Sequence, residues 1–291
     1  MKEDLYTHVE KNKFGYCELL KCYQKELRDF YKNEYFQEDK ALYKKVYSNE
    51  EITHRTNLFR EKEYIVKKNN NSAHKFLDIG CGEGHGLKYF SGQGWDVKGI
   101  DYSEYGIKTH NPHMLNKLIK GEAIHCILDM DGDFDFINMD NVLEHLPDPI
   151  TFLKALKNIC NENTILCAKV PNDFSITQIN LYENNFIDDA FWVTKDTSEH
   201  FNYFNVNSLR KVIEYVSYKT LVITGDWPID FNLFNPKTNY ISNNEVGSDC
   251  YKSGILIENM LFEQSLEKTL NLHKSFADLG IGRNLSIYFK L

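Results

Sequence analysis

The sequence predicts an α/β fold built on a largely parallel sheet, and three observations carry that prediction. From Lys75 onward, short apolar runs alternate with stretches of helical spacing, the order expected of strand, helix, strand units. The first of these runs, KFLDI, passes straight into Gly80, Gly82, Gly84 and Gly86, alternate glycines in the turn where such sheets bind ligands. Upstream, residues 1–70 show no strand alternation and are dense in Lys, Glu and Tyr.

Taken in order, the elements follow from local chemistry. Leu27, Phe30, Tyr31 and Tyr35 recur at helical spacing, and residues 1–70 are read as two or three helices lying over the substrate side. Ser48 and Glu51 form a capping box for a helix that runs through Leu58 and Tyr64 to a polar stop ending at Ser72. The boundary near residue 70 opens a second domain, 71–291. There KFLDI (75–79) is a buried strand, 86–95 a helix and turn, DVKGIDY (96–102) a strand and 103–119 mostly helix. FDFINMD (134–140) and TILCAKV (164–170) are strands, separated by a helix begun at Asp148 and Pro149. Residues 171–205, aromatic and without a period, are read as a cover segment; 208–216 is a helix and TLVITGDW (220–227) a strand. A loop and helix insertion follows at about 228–282, loop-like to 250 and then one helix over 255–280 capped by Gly280. NLSIYFK (284–290) is the terminal strand.

Composition removes several function classes. A formal charge of -8 argues against affinity gained by neutralising many phosphates, so no nucleic-acid partner is expected. The 7 cysteines are scattered and form no C-x-x-C pair, which reads as free thiols in a reducing, cytoplasmic setting rather than a disulfide framework or zinc site. No stretch reaches the roughly 18 apolar residues of a membrane span.

The glycine spacing narrows the cofactor. A dinucleotide turn needs G-x-G-x-x-G, which neither register of Gly80 to Gly86 supplies, and no G-K-S or G-K-T follows to make a Walker loop. Instead, Asp78-Ile79-Gly80-Cys81-Gly82-Glu83-Gly84 resembles the first motif of class I S-adenosylmethionine-dependent methyltransferases, acidic-x-G-x-G-x-G after a buried strand. That resemblance implies a Rossmann-like, seven-stranded, mostly parallel sheet with one antiparallel strand, helices on both faces and a helical N-terminal extension. It also implies S-adenosylmethionine as cofactor, held at Asp78, Gly80, Gly82 and Gly84, at Asp101 and neighbouring Tyr102 by the ribose, and at Glu122 and Ala123 by the adenine. FDFINMDNVLEHLPDP (134–149) resembles the branch containing ubiquinone-type and sugar O-methyltransferases, which puts Asn141 along the cofactor and Glu144 and His145 toward the transferred methyl.

The outer stretches 170–178, 198–215 and 276–290 look like methyltransferases of surface-polysaccharide clusters. They imply O-methylation of a sugar, as a nucleotide-linked small-molecule acceptor in bacterial capsule or lipopolysaccharide biosynthesis. A phenol or quinone precursor, or a nitrogen of an amino sugar or phosphoramidate, is the alternative acceptor; an NAD-binding or silent subunit is the alternative class. His145, after the fourth strand, and His200, in the cover segment, are candidate bases beside Glu144. The ubiquinone-type branch carries E-x-x-E-H here and uses a divalent cation such as Mg²⁺; the matching residues are Asn141, Glu144 and His145, with an amide in place of the first carboxylate. Trp192, Tyr182, Phe186 and the pair Asp188 and Asp189 are candidates to shape the acceptor pocket, and Tyr6, Arg55, Arg60 and Lys62 to meet a substrate phosphate. A homo-oligomer is compatible with this reading.

Overall fold

The computed structural model describes residues 4–30, 46–130, 132–193 and 200–291. Tyr31 and Tyr35 of the expected N-terminal helices, and 194–199 of the cover segment, lie outside the described residues.

Period-two strands with both faces covered organise the centre. The sheet is built from β3 (Lys75–Ile79), β4 (Asp96–Asp101), β5 (Leu118–Lys120), β6 (Phe136–Asp140), β7 (Ile165–Pro171), β9 (Lys219–Gly225) and β10 (Asn284–Lys290) in the order β5-β4-β3-β6-β7-β10-β9. β10 runs antiparallel to both β7 and β9, and the remaining neighbours are parallel. Successive residues of a strand point to opposite faces, and the core divides accordingly. Phe76 and Phe136 pack with Ile65 and Val66 of α2 (Asn49–Asn69), Leu87 and Phe90 of α3 (His85–Gly92) and Leu270 of α10 (Leu266–Leu279). Leu77, Ile79, Ile137 and Met139 turn the other way, against α5 (Ala123–Leu128), α6 (Pro149–Ala155) and α8 (Val206–Tyr215).

Ser48 accepts from the Glu51 N–H and Glu51 returns the bond to the Ser48 N–H, so the expected capping box opens α2. α1 (Lys21–Phe30) and α2 supply the helices of the N-terminal extension. Ahead of them stands a hairpin the sequence does not announce, β1 (Val9–Lys11) and β2 (Cys17–Leu19), because a three-residue strand has no period to read. β2 pairs with β8 (Asn202–Tyr203), and Leu5, Val9 and Leu19 form a third core with Phe174, Trp192, Phe201 and Tyr203. Trp192 thus packs in this core, while Asp188 and Asp189 are exposed.

The single helix expected over 255–280 is two. α9 (Gly247–Gln264) ends at Ser265, whose extended backbone and hydroxyl, accepting from the Lys268 N–H, cap α10, which terminates at Gly280 as expected. The break turns α10 back along the sheet and leaves α9 against α2. Pro112, which has no backbone N–H to continue a helix, divides 103–119 into α4 (Tyr105–His110) and a 3₁₀ turn.

Candidate active site

Every parallel strand delivers its carboxyl end to one edge, and the glycine turn occupies that edge after β3. Gly80, Gly82 and Gly84 adopt φ of 71°, 50° and 73°, a left-handed path that side chains resist. The Gly80 and Cys81 N–H groups donate to the Ile100 carbonyl, and the Gly82 N–H to Asp101 Oδ2 at 2.8 Å, tying the turn to β4. A Cβ at Gly80 would lie 2.9 Å from Val142 Cγ2. Asp101 also accepts from the Ser103 N–H at 3.0 Å, and each of its oxygens keeps acceptor capacity for a ligand hydroxyl. At the end of β5, Glu122 stands just ahead of α5 beside Ala123, lies 3.1 Å from His125 and accepts a hydrogen bond from the Tyr102 phenol. Asp101, Tyr102 and Glu122 therefore stand together at adjacent strand ends.

Glu83, inside the turn, gathers residues that sequence reasoning missed. Tyr47 donates to it at 2.8 Å, His85 and His110 lie 3.0 and 3.3 Å away, and Arg55 stacks on the Tyr47 ring at 4.3 Å. Asp78 faces inward. Its Oδ1 accepts from Asn138 Nδ2 at 2.8 Å, and Asn138 Oδ1 accepts from Lys62 Nζ at 2.6 Å. Burial pushes the Asp78 carboxyl up to about 7, against the pull of Asn138 and Lys62. Its Oδ2 would sit 2.5 Å from a Cβ at Gly86. Gly86→Ala is therefore expected to cost about 1–3 kcal/mol in urea unfolding, as an overpacked site does.

After β6 the chain turns sharply through Asn141, whose φ is 55° and whose side-chain N–H donates to Glu144 Oε1 at 2.9 Å. Glu144 is fully buried, and its Oε2 has no hydrogen-bond partner among the described residues. Burial pushes this carboxyl up to about 8. His145 Nε2 lies 3.9 Å from Glu144 Oε1, and the His145 and His200 rings meet edge to face at 4.8 Å. Burial, with His145 and Arg283 nearby, lowers His200 to about 3, so it is a neutral imidazole. The cover segment is pinned to this turn by Phe201 N–H donating to the Glu144 carbonyl and by Asn202 donating to the Leu143 and Leu146 carbonyls. One donor atom each from Glu144, His145 and His200 lies within 4.8 Å of the others. Asn141 meets the group by hydrogen-bonding Glu144.

Two further stretches converge nearby. Asn172 donates to the Gly280 and Gly282 carbonyls, and Arg283 donates to buried Asp173 at 3.1 Å, joining 171–173 to 280–283. Beside Asn141 opens a cavity of about 190 Å³ under α2 and α10, whose wall includes Arg55, Lys62, Asp140, Lys169, Asp226 and Ser286. Of the four candidates for meeting a phosphate, Arg55 and Lys62 line it, whereas Tyr6 stacks on Phe174 and Arg60 bonds Asn57.

The methyltransferase domain family matches residues 49–219, well over half of the 291-residue chain. Among its relatives, a ubiquinone biosynthesis O-methyltransferase of Idiomarina loihiensis is 24% identical over 173 residues, 57% of this chain and 68% of its own. Another so named, from Glaesserella parasuis, is 33% identical over 120 residues, 38% of this chain and 50% of its own, so this match spans half that relative's length. Of solved structures, a SAM dependent methyltransferase from Archaeoglobus fulgidus superposes with a TM-score of 0.50 at 19% identity, covering 81% of this chain and 94% of its own. The plantazolicin methyltransferase BamL, solved with a triazolic desmethylPZN analog and SAH, gives 0.53 at 11% identity, covering 92% and 95%. At those identities the likeness is one of fold. No helix among the described residues is long and apolar enough to cross a membrane. The chain belongs to the methyltransferase domain family and is a class I S-adenosylmethionine-dependent methyltransferase.

Proposed function

We propose that this enzyme methylates a hydroxyl of a polar, sugar-like acceptor, with Glu144 as the base. The observation that carries the acceptor class is the cavity wall. Lys62, Asp140, Lys169, Asp226, Thr224 and Ser286 offer charges and hydroxyls beside Leu58, Phe59 and the Tyr288 ring, a mixed wall that suits a sugar, whose hydroxyls meet the polar groups while its ring face meets the aromatic ones. Glu144 does not line this wall, but Asn141 does and bonds it, so the base stands one residue behind an acceptor seated there. α2 and α10 would then cover the acceptor, with the cover segment 171–205 and the insertion at about 228–282 closing the same side. The likeness of 170–178, 198–215 and 276–290 to surface-polysaccharide enzymes supports a nucleotide-linked sugar, of capsule or lipopolysaccharide biosynthesis, as its form.

S-adenosylmethionine fits the turn beside it. A Cβ at Gly82 would meet only the Gly80 carbonyl oxygen, at 4.0 Å, so the turn leaves its backbone open to a ligand, Asp101 has acceptor capacity for ribose hydroxyls, and Tyr102 and Glu122 stand at the next strand end. When bound, it supplies a methyl group on a sulfonium whose departure leaves a neutral thioether. The chain's own task is to orient the acceptor, worth about 7–11 kcal/mol, and to take its proton, a factor of about 10²–10⁴. Glu144 Oε2, buried and unpartnered, is placed to receive that proton as the acceptor oxygen forms its new bond to carbon.

Release of S-adenosylhomocysteine across nucleotide sugars, amino sugars and catechols tests the reading. Turnover on a nucleotide sugar is expected. Turnover on catechols alone would move the enzyme to the quinone reading, which the names of its relatives favour, and turnover on amino sugars alone would make it an N-methyltransferase. A cation at the Glu144, His145 and His200 donors is a second reading, favoured by their mutual approach within 4.8 Å. Two imidazoles and a carboxylate suit Zn²⁺ or Mn²⁺ better than the Mg²⁺ expected from Asn141, and such an ion would polarise the acceptor hydroxyl. Turnover abolished by chelator and restored by one of these ions would establish it; turnover indifferent to chelator leaves the base unaided.

A further inference from the structure

We propose that Lys62 is a positioning residue of the cofactor site: through Asn138 it orients Asp78 behind the glycine turn, so that α2 completes the site as well as covering it. The inference rests on the cofactor and not on the acceptor, and its test reads binding, so failure of the sugar reading leaves it untouched.

Lys62 is 4% exposed, and an ammonium so buried is costly unless several groups receive it. Two do: Asp140 Oδ1, in a close ion pair, and Asn138 Oδ1 at 2.6 Å. Neutralising Asp140 does not by itself account for the arrangement, since the Asp140 side chain is 30% exposed and Lys169 also acts on it. The bond to Asn138 is the informative one. Asn138 is 1% exposed, in the middle of the sheet, and its amide can present either its oxygen or its N–H to Asp78. The ammonium claims the oxygen. The N–H is thereby committed to Asp78 Oδ1, and Asp78 Oδ2 is left against Gly86 at the first turn of α3. Without Lys62 the buried Asn138 oxygen loses its donor, and the amide, with the carboxylate it holds, is no longer fixed in place under the turn.

The charges around Asp78 make this control strong. Asp101 from β4 and Asp140 from β6 both oppose its ionisation, and the Cys81 thiol of the turn lies beside it. Lys62, from α2, is a cation that acts on it.

The test compares Lys62→Met, Asp140→Asn and the double variant by calorimetric titration with S-adenosylhomocysteine and by thermal melting. Lys62→Met is expected to weaken binding by about tenfold or more. Asp140→Asn, which leaves Lys62 on Asn138 and removes a charge that opposes the ionisation of Asp78, is expected to bind no more weakly than wild type. The double variant removes the carboxylate that Lys62→Met leaves without its nearest cation, so its melting temperature recovers while its affinity stays low. If Lys62→Met fails to fold, the double variant carries the comparison. The midpoint of the pH dependence of affinity is expected to move upward in the double variant relative to Asp140→Asn, because Asp78 has lost its cation. Affinity recovering together with melting temperature in the double variant, wild-type affinity in Lys62→Met, or an unmoved pH midpoint would overturn the proposal.

Discussion

Glu144→Gln is expected to lower turnover by about 10²–10⁴-fold while S-adenosylhomocysteine binding and melting temperature stay unchanged. Glutamine has the same shape, and its oxygen can accept the Asn141 N–H that Glu144 Oε1 now accepts. Because burial pushes the carboxyl up to about 8, only a minority of molecules at neutral pH carries the ionised form that can take a proton, so turnover is expected to rise with pH up to about 8, and glutamine mimics the neutral majority with little change of charge in the site. What disappears is the capacity to take a proton. A carboxyl held near the working pH is the kind of group that serves as a base, whereas His200, lowered to about 3, would hold a proton poorly. His200→Ala is therefore expected to act more mildly, by opening the wall around His145. Steady-state release of S-adenosylhomocysteine, with calorimetric titration of the same variants, separates the cases. Equal losses in Glu144→Gln and His145→Ala with unchanged binding would move the base to the histidine.

The parts of this site that were legible in the sequence are those built from neighbours. Asp78 and the glycines occupy one turn, and Asp101 ends the very next strand, so their spacing alone places them at one edge. Glu144 and His145 share one 3₁₀ turn. Legibility fails where a partner comes from far along the chain. Lys62 meets Asn138, Arg283 meets Asp173 and His54 meets Glu258, pairings made only after helices and strands have packed. Each of these residues reads in isolation as an ordinary solvated charge, and no periodicity marks it otherwise. The contact of His145 with His200 is intermediate. Both were candidates, yet their meeting depends on Phe201 and Asn202 docking to the carbonyls of the 3₁₀ turn, backbone bonds to which sequence patterns are blind. In the fold the same boundary recurs. The βαβ units follow from apolar runs of five to seven residues, whereas the hairpin β1–β2 has three residues a side, and the break at Ser265 depends on one hydroxyl within a continuous apolar helical pattern.

His273→Leu is expected to cost about 3–5 kcal/mol of stability at neutral pH, because it strips the cation from two buried carboxylates. His273 is 1% exposed on α10, with Nδ1 on Glu61 Oε2 at 2.7 Å and Nε2 3.2 Å from Glu258 Oε1. Glu258 further holds His54 at 2.5 Å and accepts the Trp227 N–H at 3.1 Å. The cluster thus clamps α2 to α9 and α10 over the cavity beside Asn141. Burial alone would lower the imidazole, but the bonds to Glu258 and Glu61 outweigh it and raise His273 from 6.5 to about 10. The contribution of this group to stability is therefore complete below 6.5, where folded and unfolded chains are both protonated, and is lost as pH rises through about 10. Glu258 has the opposite sense: its partners hold it well below its ordinary 4.5, so its contribution is present above that value and lost on acidification. The wild type is expected to lose stability steadily between 6.5 and 10 in urea unfolding, and His273→Leu to lose that slope along with its stability. A variant with the wild-type slope would show that another group titrates there and that the clamp contributes through packing alone.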